Sequence, residues 1–592
     1  MPKHAAEINL NTVSVTSSKA NETPRYTPDR IWDIIHTQVA LQFNYKNASA
    51  DGVAVLTMKP YFYPTQHIAL DAKSMEVTSV TANSRHGELA LHFTADSLHL
   101  HIDFESSIAD TIFLTIKYTA YPNKAPKGGS AAITDDKGLY FINNRQKIKN
   151  KPVQIWTQGE TESNSHWVPT IDLPNERFTT QIALTVPDSF QTLSNGKLLT
   201  SKAVEPFMRE DVWEMNQPIQ PYAMMFAIGK FAVHTTSFQQ ANDVRYYVEP
   251  DYAPYANMMF QNTPEMMRFF SSYTGVLYPW KTYSQVVVRD YVSGAMENTS
   301  ASLFGEFMNQ DSIAYADANH EDVVSHELFH QWFGDYVTAE SWSHLTVNES
   351  FANYSQYLWD EHRYGIDEAD YQAESEADGY FNSAENGGYV NLIRFDYLDK
   401  EDMFDGHSYN KGGRILHMLR NYLGDEAFFK GLNLYLTSNK FKAAEVHHLR
   451  LAFEEVTGED LNWFFDQWFL NNGHPVLEVT HKVDASGLIL TVKQLQNFRD
   501  FPIYKLPVDV AIWDEAGKTT KRIVVDSVEQ QFFFPIKGAL KNVLFDESQM
   551  LLGKVYEEKT TNEFVHQFYN AGRWKARNTA LNRVSNIQSE QT

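Results

Sequence analysis

The chain carries the sequence His326-Glu327-Leu328-Phe329-His330, and eighteen residues separate His330 from Glu349. Two histidines four residues apart on an α-helix share one face and can hold one metal ion. The glutamate between them lies beside that ion, where it can act as a base. This spacing predicts a zinc site.

The periodicity of apolar residues predicts one helix on each side of this site. The apolar stripe of the first helix consists of Val323, Val324, Leu328 and Phe329. The second helix begins near Asn348, and its inward face consists of Phe351, Ala352, Tyr354, Tyr357 and Leu358. Gly334 and Gly365 are stop signals after the two helices. Glu349 therefore opens the second helix as the predicted third ligand.

Two histidines and one glutamate are a common ligand set of catalytic zinc, which keeps a fourth position open for water. The chain contains no cysteine, so thiolate-rich structural zinc sites and disulfide bonds are excluded. The alternative is that both histidines are ordinary surface or core residues, because so short a motif also arises by chance. The additional glutamate favours one catalytic Zn²⁺ per chain.

Length and composition predict a soluble protein of several domains. A chain of 592 residues exceeds what one hydrophobic core usually serves, so about three domains are expected. The net charge of -24 argues against nucleic acid and anionic membranes as main partners, because both bind basic surfaces. No stretch approaches the roughly eighteen apolar residues that a membrane span needs.

Residues 1–30 are rich in polar residues and are predicted to form a flexible N-terminal segment. They contain no apolar stretch of signal-peptide length, which favours a cytoplasmic protein. A periplasmic or secreted location stays open, since a signal that has been removed leaves no trace in the sequence.

Alternation of apolar and polar residues predicts a large antiparallel β domain over residues 31–232. The alternating apolar residues include Val39, Leu41 and Phe43, then Leu98, Leu100, Ile102 and Phe104, then Ile112, Leu114, Ile116 and Tyr118. His99 and His101 could suggest a metal-binding pair. They share the polar face of a strand whose other face is apolar, so a solvated face is favoured.

After this domain the pattern becomes helical and then returns to strands. Residues 233–473 are predicted to form an α-rich catalytic domain that contains the zinc helices. Residues 474–556 are predicted to form a small β-sandwich. Residues 557–592 are predicted to form a short terminal helix with a polar tail. The fold class is therefore a multidomain α+β protein.

Two further glutamates stand beside glycines. Glu297 lies in Ser293-Gly294-Ala295-Met296-Glu297-Asn298, and Glu160 ends Thr157-Gln158-Gly159-Glu160. A carboxylate at a strand end, next to a glycine that lets a ligand approach the backbone, is well placed to receive an ammonium group. A glutamate at such a position is more often only solvated, so the residues alone leave both roles open.

With these residues the chain resembles the aminopeptidase N family of zinc metallopeptidases, a gluzincin family that includes the leukotriene-converting epoxide hydrolase. The family's Gly-x-Met-Glu-Asn motif matches residues 294–298, and its His-Glu-x-x-His motif with a distal glutamate matches residues 326–349. Gln331-Trp332-Phe333-Gly334 and Tyr409-Asn410-Lys411-Gly412 also match. The resemblance runs from the β domain to the sandwich near residue 555, and it implies a thermolysin-like catalytic domain.

The resemblance also implies roles for the matched residues. His326, His330 and Glu349 would bind the zinc ion, and Glu327 would activate a zinc-bound water as general base. Tyr409 would stabilise the tetrahedral intermediate.

At the substrate end, Glu297 and Glu160 would hold the free α-amino group of a peptide. The peptide path would be lined by Gly294, Ala295, Met296 and Asn298. The implied activity is hydrolysis of the N-terminal peptide bond of peptides that carry a free N-terminus.

The chain departs from the family's pattern in places. Thr346 stands where relatives commonly have tryptophan, and Ser350 stands where they commonly have glycine. Longer relatives continue into a helical domain that closes over the active site, and in the epoxide hydrolase a helical domain helps to seat the lipid. This sequence ends 36 residues after the predicted sandwich limit at residue 556, either because the protein is naturally short or because the sequence is truncated. The epoxide-hydrolase activity is therefore not expected of it.

Three functional classes remain at this point. A metallo-aminopeptidase is favoured over a zinc endopeptidase of thermolysin type, in which Glu297 would be merely structural. A non-catalytic peptide-binding protein is the third class, and the intact Glu327 argues against it. No motif predicts the preferred N-terminal residue or the oligomeric state.

Overall fold

The computed structural model describes residues 24–238 and 242–585, and the predicted multidomain α+β fold is confirmed in this part of the chain. Most of the predicted flexible segment, residues 1–23, lies outside the described residues. The residues just before the first strand are held to the fold. The backbone N–H of Arg25 donates to the Phe395 carbonyl at 2.6 Å, and the Arg30 guanidinium lies 3.1 Å from the Glu176 carboxylate.

The N-terminal β domain is built from strands and short 3₁₀ turns. Its strands are β1 (Trp32–Asn44), β2 (Ser49–Pro60), β3 (Thr65–Asp71), β4 (Met75–Ser84), β5 (Gly87–Leu89), β6 (Leu91–Ala95), β7 (His99–Ile108), β8 (Ile112–Ala120), β9 (Leu139–Ile142), β10 (Gln154–Thr157), β11 (Phe178–Pro187), β12 (Gln191–Ser194), β13 (Lys197–Glu205), β14 (Met208–Ile219) and β15 (Phe226–Gly229). They form sheets in the orders β13-β14-β11-β1-β2-β8-β4-β5, β12-β15-β10-β9 and β3-β7-β6.

The predicted alternation is confirmed in these strands, since Val39 and Leu41 of β1 are buried while their neighbours along the strand are exposed. The prediction of an antiparallel domain needs one correction, because β1 and β11 pair in parallel, with Val39 opposite Ile182. Their connection is long, and only strands joined by a tight hairpin are constrained to run antiparallel.

The catalytic domain combines a five-stranded mixed sheet and the two-stranded sheet β21-β22 with packed helices. Its strands are β16 (Ala232–Phe238), β17 (Asn242–Val248), β18 (Thr282–Val287), β19 (Ala295–Met296), β20 (Ala301–Phe304), β21 (Val337–Ala339) and β22 (Lys442–Ala444). Its helices are α1 (Ala256–Met259), α2 (Thr263–Thr274), α3 (Ser312–Asp317), α4 (Glu321–Phe329), α5 (Thr346–Arg363), α6 (Ile366–Gly387), α7 (Gly412–Leu423), α8 (Asp425–Ser438), α9 (Val446–Thr457) and α10 (Asn462–Trp468). The sheet order β16-β17-β18-β20-β19 places β19 at the edge, beside α4.

The C-terminal part is the predicted β-sandwich followed by helices. The strands are β23 (Val476–Asp484), β24 (Gly487–Gln494), β25 (Leu506–Asp514), β26 (Gly517–Val525), β27 (Glu529–Phe534), β28 (Asn542–Leu544) and β29 (Lys554–Glu557), in the orders β27-β24-β23-β29 and β26-β25-β28. The terminal helix is divided into α11 (Thr561–Asn570) and α12 (Trp574–Val584). The chain is extended at Ala571 and Arg573, and the glycine between them disfavours a continuous helix.

The element order follows the predicted segments, whose limits at residues 30, 232, 473 and 556 stay predictions. No helix in residues 24–238 and 242–585 combines the length and the apolar character that a membrane crossing needs.

Candidate active site

The two predicted zinc helices pack against each other and bring their ligands together. His326 lies in the last turn of α4, His330 is the residue that ends it, and Glu349 lies in the first turn of α5. Gly334 has a φ of +135°, which only glycine adopts readily, and this lets the chain turn back after α4. The Asp335 N–H then donates to the His330 carbonyl at 2.9 Å, which fixes the helix end.

The donor atoms of these three residues fit one metal ion. The Oε2 atom of Glu349 lies 3.4 Å from the Nε2 atoms of both His326 and His330. Ligands bound to zinc at about 2.0–2.1 Å in a tetrahedron are about 3.3 Å apart. His330 Nδ1 lies 2.9 Å from the Phe333 carbonyl and can donate to it, which leaves Nε2 free to bind the metal. The predicted ligand set therefore fits zinc.

Burial in the protein disfavours a negative charge on Glu349. Glu349 and His330 are almost completely buried. Burial opposes the charge on Glu349, but the rings of His330 and His326 outweigh it and lower the pKa of this carboxyl to about 2. Glu349 is therefore an anionic ligand at neutral pH.

Glu327 is positioned as the sequence predicts, on the same helix and between the two histidines. Its side chain is buried, and its Oε2 atom has no hydrogen-bond partner among the described residues. Burial raises the pKa of Glu327 well above its ordinary value. A carboxylate with a free oxygen and a raised pKa is equipped to take up a proton.

Two more carboxylates stand next to the zinc ligands. Glu160, Glu297 and Glu349 each place a carboxylate oxygen within 4.8 Å of the other two. Glu297 Oε1 accepts a hydrogen bond of 3.3 Å from the Tyr222 hydroxyl, whereas Glu160 Oε1 has no partner among the described residues. Burial raises the pKa of both Glu160 and Glu297, and the carboxylates around Glu160 raise its pKa further. A cation between Glu160 and Glu297 would stabilise the ionised forms of both carboxylates.

The segment between residues 294 and 298 divides into an accessible and a buried part. Gly294 is exposed, and a Cβ atom added to it would meet no atom within 4 Å. Ala295, at the edge of the sheet, is partly exposed. Met296 and Asn298 are buried, and Met296 Sδ lies 3.2 Å from the Gln158 amide nitrogen. Of the four predicted lining residues, the first two are thus accessible, whereas the side chains of Met296 and Asn298 are buried beside Glu297 in the sequence.

Tyr409 reaches the site from a π-helical turn over His407–Lys411. Such turns are rare and often occur at functional sites. The Tyr409 ring is stacked on the His326 ring, with centroids 6.0 Å apart and planes 7° apart. Burial raises the pKa of Tyr409, so its hydroxyl stays protonated at neutral pH and can donate a hydrogen bond.

Several residues of the site have no motif that could have revealed them. Tyr222, from the β domain, contacts both Glu297 and the Asn348 amide, the latter at 3.3 Å. Glu401 accepts a hydrogen bond of 2.8 Å from the Thr161 hydroxyl and adds negative charge near Glu160. Gln331, whose Nε2 donates to the Glu297 carbonyl at 2.9 Å, directly follows His330 in the sequence, and Asn348 directly precedes Glu349.

Comparisons with known proteins show to which family the chain belongs. The family descriptions "Peptidase M1 N-terminal domain" and "Peptidase family M1 domain" match residues 33–222 and 258–468. Glutamyl aminopeptidase of Rattus norvegicus is 26% identical over 396 residues, which are 65% of this chain and 40% of the relative. Tricorn protease-interacting factor F2 of Thermoplasma acidophilum is 26% identical over 478 residues, which are 76% of this chain and 55% of the relative.

A solved structure shares the fold. The crystal structure of Legionella pneumophila aminopeptidase A in complex with aspartic acid superposes with a TM-score of 0.78 at 18% sequence identity, over 94% of this chain and 63% of that one. The chain thus spans between 40% and 63% of the length of these three proteins. Two family domains match in their order along the sequence, one over the β domain and one over the zinc helices, and the chain belongs to the peptidase M1 family.

Proposed function

We propose that this protein is a zinc-dependent aminopeptidase that hydrolyses the N-terminal peptide bond of peptides with a free α-amino group. The observation that supports this most is the group of buried carboxylates formed by Glu160, Glu297 and Glu349. Glu349 belongs to the metal site, and the other two stand next to it without a cationic side chain as hydrogen-bond partner among the described residues. The α-ammonium of a peptide supplies the missing charge.

This pairing sets the register of the substrate. An ammonium held between Glu160 and Glu297 is fixed within a few ångströms of the metal ligand Glu349. The first peptide bond of the substrate is then the one that lies over the metal site, and fixing it there removes much of the entropic cost of the reaction. Carboxylates at this place pair with the charged amino group of a free N-terminus, which an internal peptide bond lacks, and this favours an aminopeptidase over an endopeptidase.

Each of the site residues has its own role in the proposed reaction. A zinc ion bound by His326, His330 and Glu349 would supply Lewis acidity and lower the pKa of a coordinated water. Glu327 accepts the proton of the attacking water and passes it to the leaving amine. The Tyr409 hydroxyl donates to the oxygen that becomes negatively charged in the transition state.

The Tyr409→Phe variant tests the last of these roles. We expect kcat to fall about a hundredfold or more while KM changes little, because a donor to the oxyanion acts mainly on the transition state and contributes about 2.7 to 4 kcal/mol. Steady-state kinetics on an aminoacyl chromogenic substrate measure both constants. Tyr422→Phe is the matched control, since its hydroxyl contacts Glu459 away from the site. If KM rises and kcat holds, Tyr409 binds substrate instead.

The Glu297→Ala variant tests the ammonium site. For the parent enzyme we expect an N-acetylated peptide to react about ten to a hundred times more slowly than the free peptide, because acetylation removes a charge-assisted contact of about 1.5 to 3 kcal/mol. In Glu297→Ala most of this difference should vanish. The measured quantity is the ratio of kcat/KM for the two peptides, which does not depend on how much of the variant is folded.

Glu265→Ala serves as the control for this ratio, because Glu265 lies on α2 with a partly exposed carboxylate that pairs with His362. It should keep the parental preference for free peptides. A parental preference in Glu297→Ala as well would remove Glu297 from the ammonium site.

A further inference from the structure

A second group of metal-binding side chains lies on the outer face of the three-stranded sheet β3-β7-β6, in the N-terminal domain. His99 and His101 are two residues apart on β7, and their rings lie 5.8 Å apart on the partly exposed face. The expectation that they occupy the polar face of their strand is therefore confirmed. The structure adds an acidic residue that the sequence pattern does not associate with them, Asp96, in the turn between β6 and β7.

The carboxylate of Asp96 is held in place by the backbone. Its Oδ1 atom accepts hydrogen bonds of 2.7 Å from the N–H groups of both Leu98 and His99. The other oxygen, Oδ2, lies 3.3 Å from His101 Nε2, and His99 Nδ1 lies 3.8 Å from Oδ1. One donor atom from each of Asp96, His99 and His101 lies within 4.8 Å of the other two. These separations are close to the spacing of about 3.3 Å between ligands on one zinc ion.

The groups around these donors support a metal site more than a set of ion pairs. His99 has a second carboxylate at its other nitrogen, with Asp71 Oδ1 3.7 Å from Nε2. At 3.7 Å the two atoms are not hydrogen-bonded, but a histidine that binds metal through one nitrogen commonly has a carboxylate on the side of its other nitrogen. His67 is stacked on His101, with ring centroids 5.6 Å apart, and its Nδ1 atom lies 2.9 Å from Asp103.

We propose that Asp96, His99 and His101 form a second binding site, for a divalent transition-metal ion, in the N-terminal domain. Two imidazoles and one carboxylate suit zinc, and nickel and copper compete for the same donor set. Because these side chains are partly exposed, whereas His330 and Glu349 are buried, zinc binds here more weakly than at the catalytic helices. A bound ion would join the turn after β6 to the face of β7 and so stabilise this edge of the β domain.

Zinc titration of the purified protein tests this site. The parent, His99→Ala/His101→Ala and Glu349→Ala are each stripped with chelator and titrated with zinc by isothermal calorimetry, and the bound metal is counted after dialysis. We expect two binding events in the parent, of which the double variant loses only the weaker. Glu349→Ala is expected to lose only the tighter one, so the two sites are assigned independently of each other and of the proposed peptidase activity.

Two controls distinguish zinc binding at this group from nonspecific binding of zinc to surface histidines. His86→Ala removes an exposed ring that contacts Arg85 and lies outside the group, and it should keep both binding events. The double variant should also keep the parental kcat and KM. The proposal is overturned if the parent binds only one zinc ion, if the double variant still binds two, or if His86→Ala loses the weaker event as well.

Discussion

Glu327→Gln is expected to lower kcat by about a hundredfold to ten-thousandfold while the variant still binds zinc, because an amide cannot accept the proton of the attacking water. Glutamine has almost the same size and shape as glutamate, so the packing around α4 should persist. The buried Oε2 atom of Glu327, which has no hydrogen-bond partner among the described residues, is the group that the substitution removes from the reaction.

Two measurements on the same sample decide this prediction. Metal analysis reports whether zinc is bound, and steady-state kinetics report kcat. Glu265→Gln, a change of the same kind at a partly exposed position on α2, should leave both values unchanged. A Glu327→Gln variant that binds zinc normally and keeps kcat within about tenfold of the parent contradicts the role of Glu327 as general base.

Glu349→Ala is expected to lower the affinity for the catalytic zinc ion and the activity together. The substitution removes the one carboxylate that lies 3.4 Å from both histidine Nε2 atoms. Replacing a residue that only orients a metal ligand commonly reduces affinity about 10- to 100-fold, so the loss of a ligand itself should exceed that. It also removes the buried negative charge that balances the metal at His326 and His330.

Zinc content after dialysis and activity at rising zinc concentration measure this effect. Glu368→Ala, on the exposed face of α6, is the matched control and should bind zinc as the parent does. Full activity of the parent after the metal has been removed with chelator would contradict the zinc hypothesis itself.

The sequence predicts that the proposed zinc ligands come together, because they lie close to one another along the chain. His326 and His330 are one helical turn apart, and Glu349 follows on the next helix, so helical periodicity alone predicts that they face one another. The same reasoning predicted the order of β domain, helical domain and sandwich. Buried residues alternate with more accessible ones from His99 to Glu105 in β7 and from Leu490 to Gln494 in β24.

Contacts between distant segments could not be predicted in this way. Tyr222 meets Glu297 across 75 residues of sequence, and Thr161 meets Glu401 across 240. Each pair depends on how two domains pack, and no local periodicity encodes that packing. Asp96 lies in the turn between β6 and β7, outside the alternating pattern. Its contact with His101 depends on the geometry of that turn, in which the Leu98 N–H donates to the Asp96 carboxylate.

The division of the terminal helix shows the limit of periodicity itself. Phe564, Phe568 and Trp574 keep helical spacing, yet the chain is extended at Ala571 and resumes as α12 only at Trp574. The inward face of α11 and α12 is set by packing between the two helices, with Phe564 and Ala580 in one apolar cluster. The spacing of apolar residues is therefore the same for two short helices as for one long helix, and it does not distinguish between them.

The central claim is that the enzyme removes residues from a free amino terminus, and the products of one peptide in two forms test it most directly. A peptide of about ten residues is incubated with the parent enzyme in its free and its N-acetylated form, and the products are identified by mass spectrometry. The account predicts stepwise release of single N-terminal residues from the free form, while the acetylated form stays largely intact. Internal cuts in the acetylated peptide, or equal cleavage of both forms, would contradict it.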